Sequence, residues 1–320
     1  MAHEPVLARE VTDFLAPALE EGGVFVDGTL GRAGHARRIL ERAPTAFLVG
    51  IDRDPDALEA SRATLAPFGD RFVLVRDDFS NLAAVLERLG VAPVRGVLLD
   101  LGVSSPQLDE PARGFSFRNA GPLDMRMDPS ASLTANEVVN TYPQHELERV
   151  ISRYGEERFA RRIARSIISH RPIGDTEELA EIVKEAIPAA TRRTGPHPAR
   201  RTFQGIRIEV NGELEALARA LPAAVGSIQP GGRLAVISYH SLEDRAVKRF
   251  FLDEARDCVC PPALPVCSCD AEARIRILTR KPVKPKDAEI EHNPRAKSAK
   301  LRVAERLATQ RGVPEKRHAA

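Results

Sequence analysis

Val24-Phe-Val-Asp-Gly-Thr-Leu-Gly-Arg-Ala-Gly-His35 is the stretch from which the rest of the chain can be read. Three apolar β-formers run into Asp27, glycines recur at 28, 31 and 34, and a helix-permissive segment opens at His35. The pattern predicts a strand, a tight glycine loop and a helix start. Glycine admits positive φ and lets a ligand approach where a Cβ would collide, so a small molecule is expected across the loop. A dinucleotide site calls for G-x-G-x-x-G, whereas here the order is Gly-x-x-Gly-x-x-Gly behind an acid, a poor match to a nicotinamide site. S-adenosylmethionine carries no pyrophosphate and needs close backbone approach plus an acid near its ammonium, and Asp27 stands in that place. A purely structural strand-to-helix turn is the competing reading of the loop alone.

Outward from the loop, the strand-and-helix cadence repeats. Strands are expected at 46–51, 72–75 and 96–101, with helices between them. Asp54-Pro55 opens one helix, Asp54 as its cap and Pro55 at its first position. The strand ends carry Asp27, Asp52, Asp77-Asp78 and Asp100, so that Asp27, Asp52, Asp77 and Asp100 stand 25, 25 and 23 residues apart. Taken singly, each acid is explained as a cap or turn residue. Four in register on the carboxyl edge of a parallel sheet point instead to ligand binding. Asp52 is read as the ligand of ribose hydroxyls, and the Asp77-Asp78-Phe79 corner as the border of an adenine.

After Asp100 the cadence stops. Residues 102 to 211 contain turn-rich loops, one long helical stretch from Gln144 to Arg171 and a second helix from Thr176 to Ile187. A fifth strand follows at 233–238, a helix at 243–255, and a sixth and seventh strand near 274–278 and 301–303 form an edge hairpin. The expected fold is α/β: a mostly parallel doubly wound sheet with an inserted helical domain, which the family resemblance given below makes a class I, Rossmann-like fold. Residues 1–105 and 212–308 form its two parts, residues 106–211 the helical insertion, to which the resemblance given below assigns substrate recognition, and residues 309–320 a disordered tail.

The chain has 320 residues, 29% charged and 43% hydrophobic, with a net charge of +2, which suits a globular protein and by itself implies no nucleic acid. No apolar run approaches the roughly 18 residues of a membrane span, and the start lacks a signal-peptide core, so a cytoplasmic location without membrane association is expected. Basic residues are concentrated: residues 192–208 hold five arginines and no acid, and residues 274–302 hold ten lysines or arginines against three acids. Phosphate neutralisation is one reading of these runs and a solvated surface the other. Four cysteines, Cys258, Cys260, Cys267 and Cys269, form C-x-C, six residues, C-x-C. Structural zinc sites usually space each pair by two to four residues, so reduced loop thiols and no metal are expected.

Longer strings in the chain resemble one family. They are His3-Glu-Pro-Val-Leu7, the Asp27-to-His35 loop, Asp100-Leu-Gly-Val-Ser-Ser-Pro-Gln-Leu-Asp109, Arg113-Gly-Phe-Ser-Phe117 and Gly121-Pro-Leu-Asp-Met-Arg-Met-Asp128. Arg201-Thr-Phe-Gln-Gly-Ile-Arg-Ile-Glu-Val-Asn211, Ile237-Ser-Tyr-His-Ser-Leu-Glu-Asp-Arg245 and Asn293-Pro-Arg-Ala-Lys-Ser-Ala-Lys-Leu-Arg302 continue it. Together they resemble the RsmH (MraW) family of bacterial 16S rRNA (cytosine-N4)-methyltransferases over nearly the whole chain. The resemblance implies S-adenosylmethionine as cofactor and, as substrate, a cytidine of the decoding centre in the small ribosomal subunit. It also allows a homodimer. Matched residue by residue, the family's cofactor contacts fall on Ala33, Gly34, His35, Asp52, Phe79, Asp100 and Gln107. Many relatives carry glycine at position 33, and alanine is tolerated there if its φ is negative.

For the chemistry, the exocyclic amine of cytosine is a poor nucleophile that must be held in line and relieved of its proton. The Asp/Asn-Pro-Pro-aromatic clamp of many amino methyltransferases is replaced here by Asp100-Leu101-Gly102-Val103. Asp100 serves either the amine or the cofactor, and the residues leave both roles open. Phe115, Phe117 and Tyr239 are candidates to face a splayed base, with ordinary core as the bland alternative for each. His240 is a candidate proton acceptor, against a local hydrogen-bonding role. Arg201, Arg207, Arg295, Lys300 and Arg302 lie inside the family strings and are the preferred RNA contacts. Competing readings are a DNA amino methyltransferase, a nicotinamide oxidoreductase and a non-catalytic RNA-binding assembly factor.

Overall fold

A computed structural model describes residues 4–192, 197–261, 269 and 271–308; the tail 309–320 lies outside them. The chain divides into two compact units. One comprises Met1–Asp52, Asp56–Leu101 and Leu217–Ala320, the other Arg53–Pro55 and Gly102–Ala216.

The first unit is built on a seven-stranded sheet. Its strands are β1 Gly23–Asp27, β2 Ala46–Asp52, β3 Phe72–Arg76, β4 Val94–Asp100, β5 Ile228–Ser238, β6 Ile275–Ile277 and β7 Lys300–Arg306. The order is β3-β2-β1-β4-β5-β7-β6, with β1 to β5 parallel and β7 antiparallel to both neighbours. This is the mostly parallel, doubly wound sheet that the cadence predicts.

Both faces of the sheet are covered, which is why the central strands read as apolar runs rather than as alternating polar and apolar residues. Within them the two-residue period still sorts side chains. Phe25, Leu48, Leu98 and Ala235 enter one core with Leu15, Leu19 and Ile39, whereas Val26, Val49, Leu99 and Val236 enter the other with Leu86, Leu221 and Phe251. Each fully buried side chain of this size contributes about 1.5–3 kcal/mol, and together they hold the strand ends in one row. The row results from register: Asp27 sits opposite Gly50 and Leu98, and Asp100 opposite Ile237.

The second unit is helical; among its described residues there is no strand beyond an isolated bridge between Pro122 and Asp175. Its main helices are Ala135–Thr141, Gln144–Arg153, Ala160–Ser169, Thr176–Ala186 and Arg200–Asn211. The single helix expected from Gln144 to Arg171 is therefore two. The break contains Gly155 and Glu156, the latter at φ 50. A Cβ on Gly155 would lie 2.5 Å from the Arg201 carbonyl oxygen, so the chain turns where it crosses the helix Arg200–Asn211. Glu157 restarts the helix by accepting from the Phe159 amide at 2.9 Å. Apolar spacing runs on through the break because both helices bury the same side, Leu147, Val150 and Ile151, then Ile163 and Ile167. No helix among the described residues is long and apolar enough to cross a membrane.

Candidate cofactor site

The site grows from the carboxyl edge of the sheet in the first unit. β1 ends at Asp27, 1% exposed, and the loop that follows is sewn to both neighbouring strands. The Gly28 amide donates to the Leu98 carbonyl at 2.9 Å and the Leu30 amide to that of Ile51 at 3.0 Å. The Thr29 amide donates to Asp27 Oδ1 at 3.2 Å, and the Thr29 hydroxyl accepts the Asp100 amide at 2.6 Å. The Gly31 amide donates to Asp52 Oδ2 at 2.8 Å. Three strand ends are thereby tied to one loop, Asp27 and Asp52 through their carboxylates and Asp100 through its amide.

The glycines divide their work differently from the expectation of ligand approach throughout. Of positions 28, 31 and 34, only Gly31 has a positive φ, at 52. A Cβ on Gly28 would fall 2.7 Å from a Leu99 methyl, and one on Gly34 would press on Pro5 at 3.2 Å. Those two glycines let the loop lie close on its own protein. Ala33 corrects a second expectation: its φ is 60, left-handed, and it is the residue that opens the helix Gly34–Arg42.

Asp100 is the best-organised carboxylate. Tyr239, which follows β5, donates its hydroxyl to Asp100 Oδ1 at 2.9 Å, and Oδ2 faces His35 Nε2 at 3.6 Å. Burial, then the adjacent Asp100 charge, pushes the Tyr239 phenol well above its ordinary range, so it stays a donor. His35 is 5% exposed, and neither of its ring nitrogens has a hydrogen-bond partner among the described residues. Burial raises the Asp27 carboxyl to about 7, opposed by His35 and the Thr29 amide and reinforced by the Asp100 and Asp52 charges. Three carboxylates, Asp27, Asp52 and Asp100, therefore share this edge with one buried histidine.

At β3 the two acids are turn caps. Asp77 Oδ1 accepts from the Asp78 amide and Asn81 Nδ2, and Asp78 Oδ1 accepts from the Ser80 amide, closing the turn Phe79–Asn81. Phe79 is half-buried, its Cβ 3.4 Å from where a Gly28 side chain would begin. Gln107 belongs to the helical unit. There its Nε2 donates to Asp54 Oδ2 at 2.8 Å, a carboxylate that also takes Arg113 Nη2 at 2.9 Å. Asp54, read from sequence as a helix cap, is buried and binds these two residues of the family strings.

Several further expectations change. His240 is not placed as a proton acceptor: it caps the helix Ser241–Glu254, Nδ1 accepting the Glu243 amide at 3.3 Å and Nε2 lying 3.1 Å from Glu243 Oε1. Glu243, missed in the sequence, also accepts from the Tyr239 amide at 2.8 Å and so holds the tyrosine backbone. Its signal was the capping-box spacing from His240. Phe115 is buried, and Phe117 packs on His197 and Phe203 at 4.6 and 4.9 Å between ring centres.

Among the basic candidates, Arg302 is 7% exposed and bonds Asp244 at 2.7 Å, and Lys300 takes the other oxygen of the same carboxylate at 2.9 Å. Arg207 grips Glu213 through two bonds of 2.8 and 2.9 Å. These three cations serve the fold; Arg201 and Arg295 are exposed, Arg201 also reaching the Glu156 carbonyl at 3.3 Å and Glu157 Oε2 at 3.8 Å. Cys258, Cys260 and Cys269 lie in the loop between the helix Ser241–Glu254 and β6, and Cys267 lies outside the described residues.

Comparison with known proteins accounts for this arrangement. Residues 1–307 match the model of the MraW methylase family. A ribosomal RNA small subunit methyltransferase H of Heliobacterium mobile is 50% identical over 310 residues, covering 95% of this chain and 99% of its own. Proteins of the same name from Carboxydothermus hydrogenoformans and Geobacter sulfurreducens are each 53% identical, covering 96% of this chain and 98% and 99% of their own. With the family model matched over residues 1–307 and half its residues shared along nearly its entire length, the chain belongs to the MraW methylase family.

Proposed function

We propose that this chain methylates N4 of one cytidine in the decoding centre of 16S rRNA, acting in the cytoplasm on the small ribosomal subunit. The family makes the reaction methyl transfer from S-adenosylmethionine, and the names of the relatives support the substrate. One observation carries the cofactor half of the reading. Asp27, Asp52 and Asp100 converge on the edge where both ring nitrogens of buried His35 lack a hydrogen-bond partner among the described residues and Nε2 faces Asp100 at 3.6 Å.

That donor set fits a ligand with two cationic groups, a ribose and an adenine. When bound, S-adenosylmethionine supplies an electrophilic methyl group on a sulfonium. Asp27 and Asp100 balance positive charge, the Asp27 carboxyl giving up its proton as a cation enters. Asp52, already oriented by the Gly31 amide, receives ribose hydroxyls. The Ala33-Gly34-His35 segment brings backbone close at the helix start, and Phe79 supplies an apolar edge for the adenine. Asp100 belongs to the cofactor side, because its amide is tied to Thr29 and its carboxylate faces His35. Gln107 is retained as a cofactor contact from the family match, and residues 106–211 as the substrate-recognition insertion, with Arg201 and Phe117 toward the RNA. The chain's contribution to rate is orientation of a weak nucleophile against a preorganised acid set.

The test is nucleoside mass spectrometry of small subunits lacking the modification, incubated with the protein and methyl-labelled S-adenosylmethionine, beside free rRNA and DNA. Labelled N4-methylcytidine in the subunit is expected. Label in DNA alone, or no label while cofactor binds, overturns the substrate assignment.

A further inference from the structure

The first unit contains a second cluster of chemistry-bearing residues that methyl transfer does not use. The chain leaves the helix Ser241–Glu254 and returns at β6 through a long connection. Its stem is closed by the Arg274 amide donating to the Glu254 carbonyl at 2.8 Å and by an Arg274–Glu254 ion pair at 2.9 Å. Among the described residues above the stem, Val259 stands 63% exposed.

Three thiols meet there. The sulfurs of Cys258, Cys260 and Cys269 all lie within 4.8 Å of one another, Cys258 and Cys269 being 3.9 Å apart and not joined by a disulfide. A tetrahedral zinc site with Zn–S of about 2.3 Å has sulfurs about 3.8 Å apart along each edge. Two backbone amides also point at sulfur, Val259 at Cys269 Sγ and Cys260 at Cys258 Sγ, each 3.4 Å. Such donors favour thiolate over thiol. The narrow C-x-C spacing argued against zinc when each pair was judged as a separate clip. In the folded loop the ligands come from both arms, so the span between Cys258 and Cys269 matters more than the spacing inside a pair.

We propose that Cys258, Cys260 and Cys269 bind a zinc ion through their thiolates, supplying three of its four tetrahedral positions and fastening this loop beside β6. Each coordinating thiol releases its proton to solvent, and no electron is transferred. Zinc suits the cluster because thiolates select soft cations and the tetrahedral edge matches the 3.9 Å between the Cys258 and Cys269 sulfurs. The role is structural: the ion ties the two arms of the loop together through Cys258, Cys260 and Cys269.

The experiment uses the full chain, purified without a metal-affinity tag under reducing conditions, incubated with zinc and passed through a desalting column. Elemental mass spectrometry is expected to find about one zinc per chain in the wild type. The double variant Cys258→Ser/Cys269→Ser is expected to hold less than about one tenth of that, while binding S-adenosylmethionine as before. Should that variant fail to fold, cobalt(II) added to the wild type provides the second readout: a sulfur-to-cobalt charge-transfer band and intense tetrahedral d–d bands are expected. Wild-type protein without retained zinc, iron in its place, octahedral cobalt spectra, or equal zinc in the double variant would each overturn the assignment.

Discussion

Tyr239 donates its hydroxyl to Asp100 Oδ1 at 2.9 Å, joining the ends of β5 and β4 and leaving the other carboxylate oxygen turned toward His35. A phenol held neutral by burial and by the acid beside it fixes the direction of that carboxylate without neutralising it. Tyr239→Phe removes the donor and leaves a charged acceptor short of a partner. Hydrogen bonds to charged groups contribute about 1.5–3 kcal/mol, and a loss of that order is expected in urea unfolding. Asp100→Asn keeps an acceptor for Tyr239 but removes the charge. It is expected to retain most of the stability and to lose cofactor affinity by tenfold or more, read by calorimetric titration; equal affinity would remove Asp100 from the cofactor site.

Asp27 predicts a pH dependence with a definite sign. Its folded carboxyl is raised from 3.8 to about 7, so between those values the folded chain keeps a proton that the unfolded chain has lost. The neutral carboxyl's advantage is present below pH 4 and disappears as pH rises toward 7. Asp27→Asn removes this dependence while keeping an acceptor for the Thr29 amide. At about 1.4 kcal/mol per pK unit, the variant is expected to gain up to about 4 kcal/mol on wild type between pH 4 and 8. Urea midpoints at the two ends of that range check it, and parallel curves would refute it.

The loop glycines should fail in different ways. Gly28→Ala drives a methyl to within 2.7 Å of Leu99 in the core, with about 1–3 kcal/mol of overpacking expected. Gly31→Ala meets nothing closer than 4.0 Å but must hold φ 52, costing about 1 kcal/mol. Thermal unfolding of the two variants separates packing from backbone conformation.

The basic residues divide likewise. Arg201→Ala and Arg295→Ala remove exposed charge and are expected to lower the slope of log affinity for rRNA against log salt by about 1 each, with stability unchanged. Arg207→Ala and Arg302→Ala leave Glu213 and Asp244 without the arginine that now holds them. They are expected to cost about 3 kcal/mol of stability and to leave that slope alone. A salt slope lowered equally by all four would mean that burial does not separate the two groups.

Much of the sheet was legible because its signal is local. Period-two burial sorts Phe25 from Val26 on adjacent residues, and the interval from Asp27 to Asp52 to Asp100 places acids at strand ends before any contact is known. The cofactor loop could be read for the same reason: strand, glycines and helix start are consecutive in the chain. The placement of β7 between β5 and β6 depends on pairing across the fold, and the break at Gly155 depends on a helix that arrives some 45 residues later.

Partners distant in sequence settled the remaining roles. Arg302 and Lys300 carry charge that looks available to phosphate until Asp244, 58 and 56 residues away, takes it. His240 reads as a base until the helix it begins claims its Nδ1. Gly28 and Gly34 look like openings for a ligand until Leu99 and Pro5 fill them. Composition and spacing reveal which groups a chain possesses; whether a charge is satisfied or a cavity filled is a property of three-dimensional neighbours, and those neighbours leave no mark within a residue's own stretch of sequence.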